Sequence, residues 1–244
     1  MIDLHCHLLP GIDDGARTLA EAPDMARAAV DNGIDHAVMT PHLHPGRYEN
    51  TRSRTEKPLR EFRAALRKEQ IALEISVAAE VRFSIEILTW LEQDEVPFLG
   101  EMDGYRILLL EFPHGHIPHG AGNLIKKLLD NKIRPIIAHP ERNKDVIRDP
   151  AKIEPFVEMG CLLQLTASAV AGRFGDGPHL RSRQLLERGI VFALATDAHN
   201  LKGRRPELRE GVEAAAEIVG EAAAHALVHE NPRAILGPSH VSAA

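Results

Sequence analysis

The chain is poor in cysteine: Cys6 and Cys161 are the only two in 244 residues. Two are too few for a disulfide framework, and each reads most simply as a small buried residue. Six positions beyond them stand Ile12 and Ala167, so the Cys-x5-Arg loop of thiol-dependent phosphatases is missing too. Basic charge is not in excess either. The net charge is −6 with the two signs interspersed, which disfavours nucleic-acid binding by phosphate neutralisation. No apolar run approaches the roughly 18 residues that span a bilayer. No low-complexity segment or compositional break marks a linker. The first motif begins at residue 3, so no secretory leader is expected. A soluble, cytoplasmic protein without membrane insertion is the expectation, with its oligomeric state left open.

What the chain does have in number is histidine, fourteen in all. Two stand in the opening stretch Met1-Ile-Asp-Leu-His-Cys-His-Leu-Leu-Pro-Gly-Ile-Asp-Asp-Gly15. Ile2 to His5 read as a short buried strand. Side chains two apart on an extended chain point the same way, so His5 and His7 can reach one cation. Pro10 and Gly11 turn the chain, and Asp13 and Asp14 return carboxylates to the same neighbourhood. An isolated His-x-His is usually a surface pair, so the case for a metal depends on ligands from elsewhere.

Apolar residues at Leu19, Ala22, Met25, Ala26, Ala29 and Val30 follow helical spacing, stopped by Gly33. Further strands are expected at 36–42, 74–80, 105–112, 134–139, 161–166 and 190–197. Helices fall between them, the longest over 49–70 with an interruption near Pro58. Ala-rich helices over 206–219 and 221–230 close the fold, and 238–244 is expected to fray. Seven short apolar strands alternating with helices predict parallel β/α units with the sheet covered on both faces. The expected fold is α/β, a single-domain TIM-like (β/α)7 barrel over 1–237, with a doubly wound open sheet as the alternative.

Six of the seven expected strands end in a possible metal ligand: His5 and His7, His42, Glu80, Glu111, His139, then Asp197 and His199. In a β/α barrel the C-terminal strand ends converge on one mouth. With Asp14 the set holds five histidines and four carboxylates and no thiolate. Such donors suit Mn, Fe(II) or Zn rather than structural zinc or calcium. Nine donors exceed the needs of one ion, so two or three clustered ions are expected, with Glu80 bridging. A site of that charge attracts phosphate and supplies an activated water. Arg142 lies three positions after His139, and Arg204 five after His199; either can fork two phosphoryl oxygens.

Taken together, Asp3-Leu-His-Cys-His-Leu-Leu-Pro-Gly-Ile-Asp-Asp-Gly15, Thr40-Pro-His42, Glu80, Leu110-Glu-Phe-Pro113, Ala138-His-Pro-Glu-Arg-Asn143 and Thr196-Asp-Ala-His-Asn200 resemble the PHP (polymerase and histidinol phosphatase) superfamily. The resemblance is strongest to the metal-dependent protein-tyrosine phosphatases of bacterial capsule and exopolysaccharide operons. It implies a distorted (β/α)7 barrel with three metal positions: His5, His7, Glu80 and Asp197 at the first; Glu80, Glu111 and His139 at the second; Asp14, His42 and His199 at the third. It also implies manganese, phosphate binding by Arg142 and Arg204, and a phosphotyrosine substrate on the tail of a bacterial tyrosine kinase. Hydrolysis would proceed in one step without a cysteine nucleophile, and Asp13, Glu141 or a water would serve as general acid. The stretch Thr166-Ala-Ser-Ala-Val-Ala-Gly172 departs from the family pattern, which places substrate contacts there in question. His44, His114, His116 and His119 are additional. A histidinol-phosphate or other small-molecule phosphatase is the alternative on the same scaffold, and a non-catalytic module is a further one.

Overall fold

The computed structural model describes residues 1–237; the tail expected to fray lies outside the described residues. Strands form at β1 (Ile2–Cys6), β2 (His36–Met39), β3 (His42–His44), β4 (Tyr48–Glu49), β5 (Glu74–Val77) and β6 (Glu80–Arg82). They continue at β7 (Gly100–Met102), β8 (Tyr105–Glu111), β9 (Ile133–Ala138), β10 (Leu162–Thr166) and β11 (Ala193–Ala195). Parallel pairing runs β1-β2-β5 in one sheet and β11-β10-β9-β8-β6-β3 in the other; β4 joins β3 and β7 joins β8 antiparallel. A parallel bridge between Cys6 and Ala198 lies between the two sheets, where Asp197 N donates to His5 O and His7 N to Ala198 O, each at 2.8 Å. The fold is α/β, as the alternation predicts.

Strands β1, β8, β9 and β10 are buried on both faces. Ile107 and Leu109 of β8 pack in one apolar cluster with Ile2, Leu4, Ile136 and Ala193, whereas Leu108 and Leu110 pack in the other with Leu163, Leu165 and Ile125. This is the period of two that a strand imposes, with helices supplying the second cover. The helix Ala22–Asp31 buries Ala22, Met25, Ala26 and Ala29 as its spacing predicts, whereas Leu19, expected on the same stripe, lies ahead of the helix and is exposed.

Several elements differ from expectation for local reasons. The runs expected as single strands at 36–42 and 74–80 are each split, at Thr40–Pro41 and at Ala78–Ala79. Pro41 has no N–H to donate to a ladder, while its carbonyl accepts from Glu80 N at 3.2 Å. The long helix spans Arg52–Lys68 and passes through Pro58 without interruption. Thr55, Leu59, Phe62 and Leu66 are its buried stripe, and their packing outweighs one missing backbone bond. Ahead of Gly160, where a helix is expected, the chain forms Lys144–Arg148, a 3-10 turn at Pro150–Ile153 and Glu154–Glu158, with Pro150 and Pro155 at the breaks. The last helical stretch is likewise two pieces, Glu221–Ala226 and Glu230–Leu236.

Candidate metal centre

All nine expected ligands come to one end of the strands. His5 is the penultimate residue of β1 and His7 follows the strand; Glu111 ends β8; His139 follows β9; Asp197 and His199 follow β11. His42 and Glu80 begin β3 and β6, the resumed halves of the split strands, and are register partners. Asp14 arrives on the loop after β1. His139 and Asp197 hold left-handed backbone, φ +34° and +51°, a conformation that costs a non-glycine residue energy and is kept where the surroundings dictate it.

Three groups of donors could each hold an ion: His5, His7, Glu80 and Asp197; His7, Asp14, His42 and His199; and His42, Glu80 and Glu111. By proximity His7 also stands with the Asp14 group, and His42 with Glu80 and Glu111. His139 Nε2 faces Glu80 Oε1 at 2.8 Å.

The first group fits a metal. The Nε2 atoms of His5 and His7 are 3.2 Å apart, and each stands 3.3–3.4 Å from Glu80 Oε2 and Asp197 Oδ1. Donors so spaced surround a point about 2 Å from each, the length of a metal–imidazole or metal–carboxylate bond. Glu80 Oε2, Asp197 Oδ1 and His199 Nε2 are buried without a well-formed hydrogen bond, a costly arrangement for polar atoms with no further partner.

Histidine tautomers point the same way. His5 Nδ1 lies 2.8 Å from Gln164 Oε1, His7 Nδ1 2.7 Å from Asp13 Oδ2, and His199 Nδ1 2.9 Å from Asp197 O. With Nδ1 donating to these acceptors, each Nε2 keeps its lone pair for the centre. Gln164 and Asp13 are thus hydrogen-bond partners of the donor imidazoles that ligand counting missed. The available signal for Gln164 was one amide inside the apolar strand β10, the single expected strand lacking a terminal ligand. Asp13, a candidate acid by sequence, is committed elsewhere: it accepts from His7, from Gly15 N at 2.9 Å and from His42 N at 3.1 Å. Glu141, the other candidate, is fully buried and accepts from Thr166 N at 2.9 Å.

Burial opposes charge on Glu80 and Asp197, yet positive charge facing them prevails: His5 when protonated, helped by His42 for Glu80 and by Arg204 and Arg142 for Asp197, a part that a bound cation would take over from the imidazoles. Both carboxyls are held well below the usual range. Burial and the neighbouring Glu80 charge push Glu111 up to about 7. Burial and Arg142 press His139 down to about 4, leaving it neutral. Both thiols are buried and pushed up, Cys161 to about 12, so neither is a nucleophile at neutral pH.

Arg142 Nη1 and Arg204 Nη2 both pair with Asp197 Oδ2. Beside them opens a cleft of about 290 Å³ lined by His114, Arg142, Lys144, Ile147, Phe174, Pro178 and Arg204. Of the additional histidines, His114 lines this cleft, His44 is half-buried in β3, and His116 and His119 are exposed.

A family model for capsular polysaccharide synthesis, CpsB/CapC, matches residues 1–237. The tyrosine-protein phosphatase YwqE of Bacillus subtilis (strain 168) is 35% identical over 212 residues, 87% of this chain and 82% of that protein. The tyrosine-protein phosphatase CpsB of Streptococcus pneumoniae is 28% identical over 245 residues, 97% of this chain and 98% of that one. A chain from the crystal structures of YwqE and CpsB, described as unique metal-dependent tyrosine phosphatases, matches with TM-score 0.89 at 33% identity, covering 97% of this chain and 94% of that chain. An organophosphorus hydrolase, TM-score 0.56 at 15% identity over 97% of this chain and 92% of its own, shares the fold alone. No helix among the described residues is long and apolar enough to cross a membrane.

Proposed function

Because this chain belongs to the CpsB/CapC family of capsular polysaccharide synthesis, we propose that it is a metal-dependent protein-tyrosine phosphatase. The observation that carries the reading to this chain is the convergence of Arg142 and Arg204 on one oxygen of Asp197, at the edge of three overlapping ligand groups. Two guanidinium forks beside divalent cations would make a site for a tetrahedral dianion.

In this reading His5, His7, Glu80 and Asp197 hold one ion. Glu80, Glu111 and His139 hold a second, with His42 within reach of it, and Asp14, His42 and His199 hold a third, with His7 beside them. Manganese is the metal proposed for a set of imidazole and carboxylate donors without thiolate. Divalent ions in those positions supply an activated water and positive charge for the phosphoryl oxygens. Gln164 and Asp13 keep the Nε2 atoms of His5 and His7 aimed inward. Arg142 and Arg204 orient the phosphoryl group and neutralise its equatorial oxygens as the aryl P–O bond breaks. Oxygen from water ends on phosphate and its proton on the phenol. A phenol has a pKa of about 10, so it departs with less proton assistance than an alcohol. The commitments of Asp13 and Glu141 described above fit that economy.

Residues 1–237 are read as one domain, and the Cys6–Ala198 bridge supports closure of the two sheets into a (β/α)7 barrel. The proposed substrate is a phosphotyrosine on a cytoplasmic tyrosine kinase of polysaccharide export. The histidinol-phosphate alternative calls for a carboxylate to receive an amine, and the cleft beside the arginines is lined by basic and apolar side chains alone.

A paired assay on metal-analysed, manganese-loaded protein tests this. Hydrolysis of a tyrosine-phosphorylated peptide over histidinol phosphate, abolished by a chelator and by Arg142→Ala, is expected. Preference for histidinol phosphate would overturn the substrate; activity on neither, with metal bound, would overturn the phosphatase reading.

A further inference from the structure

The chain has seven phenylalanines. Among the described residues six of them, Phe62, Phe83, Phe98, Phe112, Phe156 and Phe192, belong to or pack against the two apolar clusters. Phe174 does not. It is half-buried, on a loop bracketed by Gly172 at φ +78° and Gly175 at φ +86°, positive-φ conformations that glycine takes without strain. The loop ends at the helix Asp176–Glu187, which brings Pro178 alongside. Ile147, from the helix Lys144–Arg148, is also outside both clusters and half-buried. These three side chains form an apolar wall off the core, facing the cleft that Arg142 and Arg204 border.

The wall is tied to the phosphate-binding arginines. The Arg142 guanidinium lies 5.1 Å from the centre of the Phe174 ring, a cation–π contact, while its Nη1 reaches Asp197. One side of the ring therefore steadies Arg142 and the remainder is available to the cleft. At about 290 Å³ the cleft lies at the lower end of the size range of small-molecule pockets, room for a single ring and not for a folded segment. A phosphoryl group held by Arg142 and Arg204 leaves its ester substituent with this cleft as the adjoining space.

We propose that Phe174, with Ile147 and Pro178, forms an aryl subsite that receives the phenol ring of the substrate and selects aryl over alkyl phosphate monoesters. This rests on the phosphatase reading above and adds the residues that set its specificity. Aromatic rings gain from offset or edge contact with one another beyond the area they bury, whereas a short alkyl group fills the same cleft with fewer contacts. Phe174 acts on binding of the leaving group, and through Arg142 it also acts as a positioning residue.

The two roles separate in one experiment on the full-length, metal-loaded protein. Phenyl phosphate and n-butyl phosphate are assayed against wild type, Phe174→Ala and Ile147→Ala, with kcat and KM resolved. The ratio of kcat/KM for phenyl over butyl phosphate is expected to fall about 10-fold in Phe174→Ala, chiefly through KM, and several-fold in Ile147→Ala. An equal loss on both esters would overturn the subsite and leave Phe174 as a support for Arg142. An unchanged ratio in both variants would overturn it as well. A metal-loaded wild type inactive on both esters would instead overturn the phosphatase reading and the subsite with it.

Discussion

Gln164 Oε1 stands 2.8 Å from His5 Nδ1, joining β10, which carries none of the nine donors, to the first donor of the chain. The amide is oriented by its own Nε2, which donates to Leu165 O at 2.7 Å, so its oxygen faces the imidazole. His5 Nδ1 therefore carries the proton, and His5 Nε2 presents a lone pair among Glu80, Asp197 and His7.

Replacing Gln164 by leucine keeps the volume and removes that acceptor. Metal affinity is expected to fall about 10- to 100-fold, the usual consequence of losing a group that orients a ligand. Titration of metal-free protein with manganese, followed calorimetrically, reads this directly. Unchanged affinity would show that the tautomer of His5 is set by something else.

Asp13→Ala separates two roles for that carboxylate. As the acceptor for His7 Nδ1, its loss lowers metal occupancy and activity in parallel, and excess metal restores part of the rate. A general acid would behave otherwise, leaving metal affinity alone and steepening the dependence of kcat on leaving-group pKa. Comparing aryl phosphates of graded phenol pKa, at saturating metal, decides between them.

Arg142→Ala and Arg204→Ala are each expected to cost about 10²–10³-fold in kcat/KM, the scale of a charge-stabilising donor. Because both side chains contact Asp197 Oδ2, the double variant is expected to lose less than the product of the two. A double-mutant cycle with metal content measured in each protein checks this; strict multiplicativity would show that the arginines act independently.

Gly15 is where the opening loop returns to touch His7, just past the first strand. A Cβ there would meet His7 O at 2.0 Å and His7 Cβ at 2.6 Å, so Gly15→Ala has to displace the segment that carries Asp13 and Asp14. A destabilisation of about 1–3 kcal/mol is expected in denaturant unfolding, together with weakened metal binding. Full retention of both would mean that the loop relaxes without moving its carboxylates.

Much of the fold was legible from local pattern. The seven apolar runs and the helices between them correspond to observed elements, because alternation and helical spacing report what each segment buries. The misses were where a neighbour overrode local preference. Pro58 sits inside the helix Arg52–Lys68 because Leu59, Phe62 and Leu66 pack on the sheet. The short strands β4 and β7 exist by pairing with β3 and β8, and neither has a periodicity long enough to read.

For the site, residue chemistry and spacing were enough to nominate the nine donors and two arginines, since histidine and carboxylate at strand ends are chemically conspicuous wherever they fall. Which donors stand near which was beyond reach of the sequence. Asp3 accepts from Thr196 N across 193 positions, and Gln164 meets His5 across 159. Distances of this kind come from sheet register and strand order. The chain by itself determined an α/β fold with a donor-rich strand-end site and no thiol chemistry. Only the tertiary structure decided that His7 and His42 are shared between groups, that Asp13 and Gln164 aim the imidazoles, and that Phe174 faces a cleft and not the core. Those are relations between segments far apart in sequence, and packing alone brings them within bonding distance.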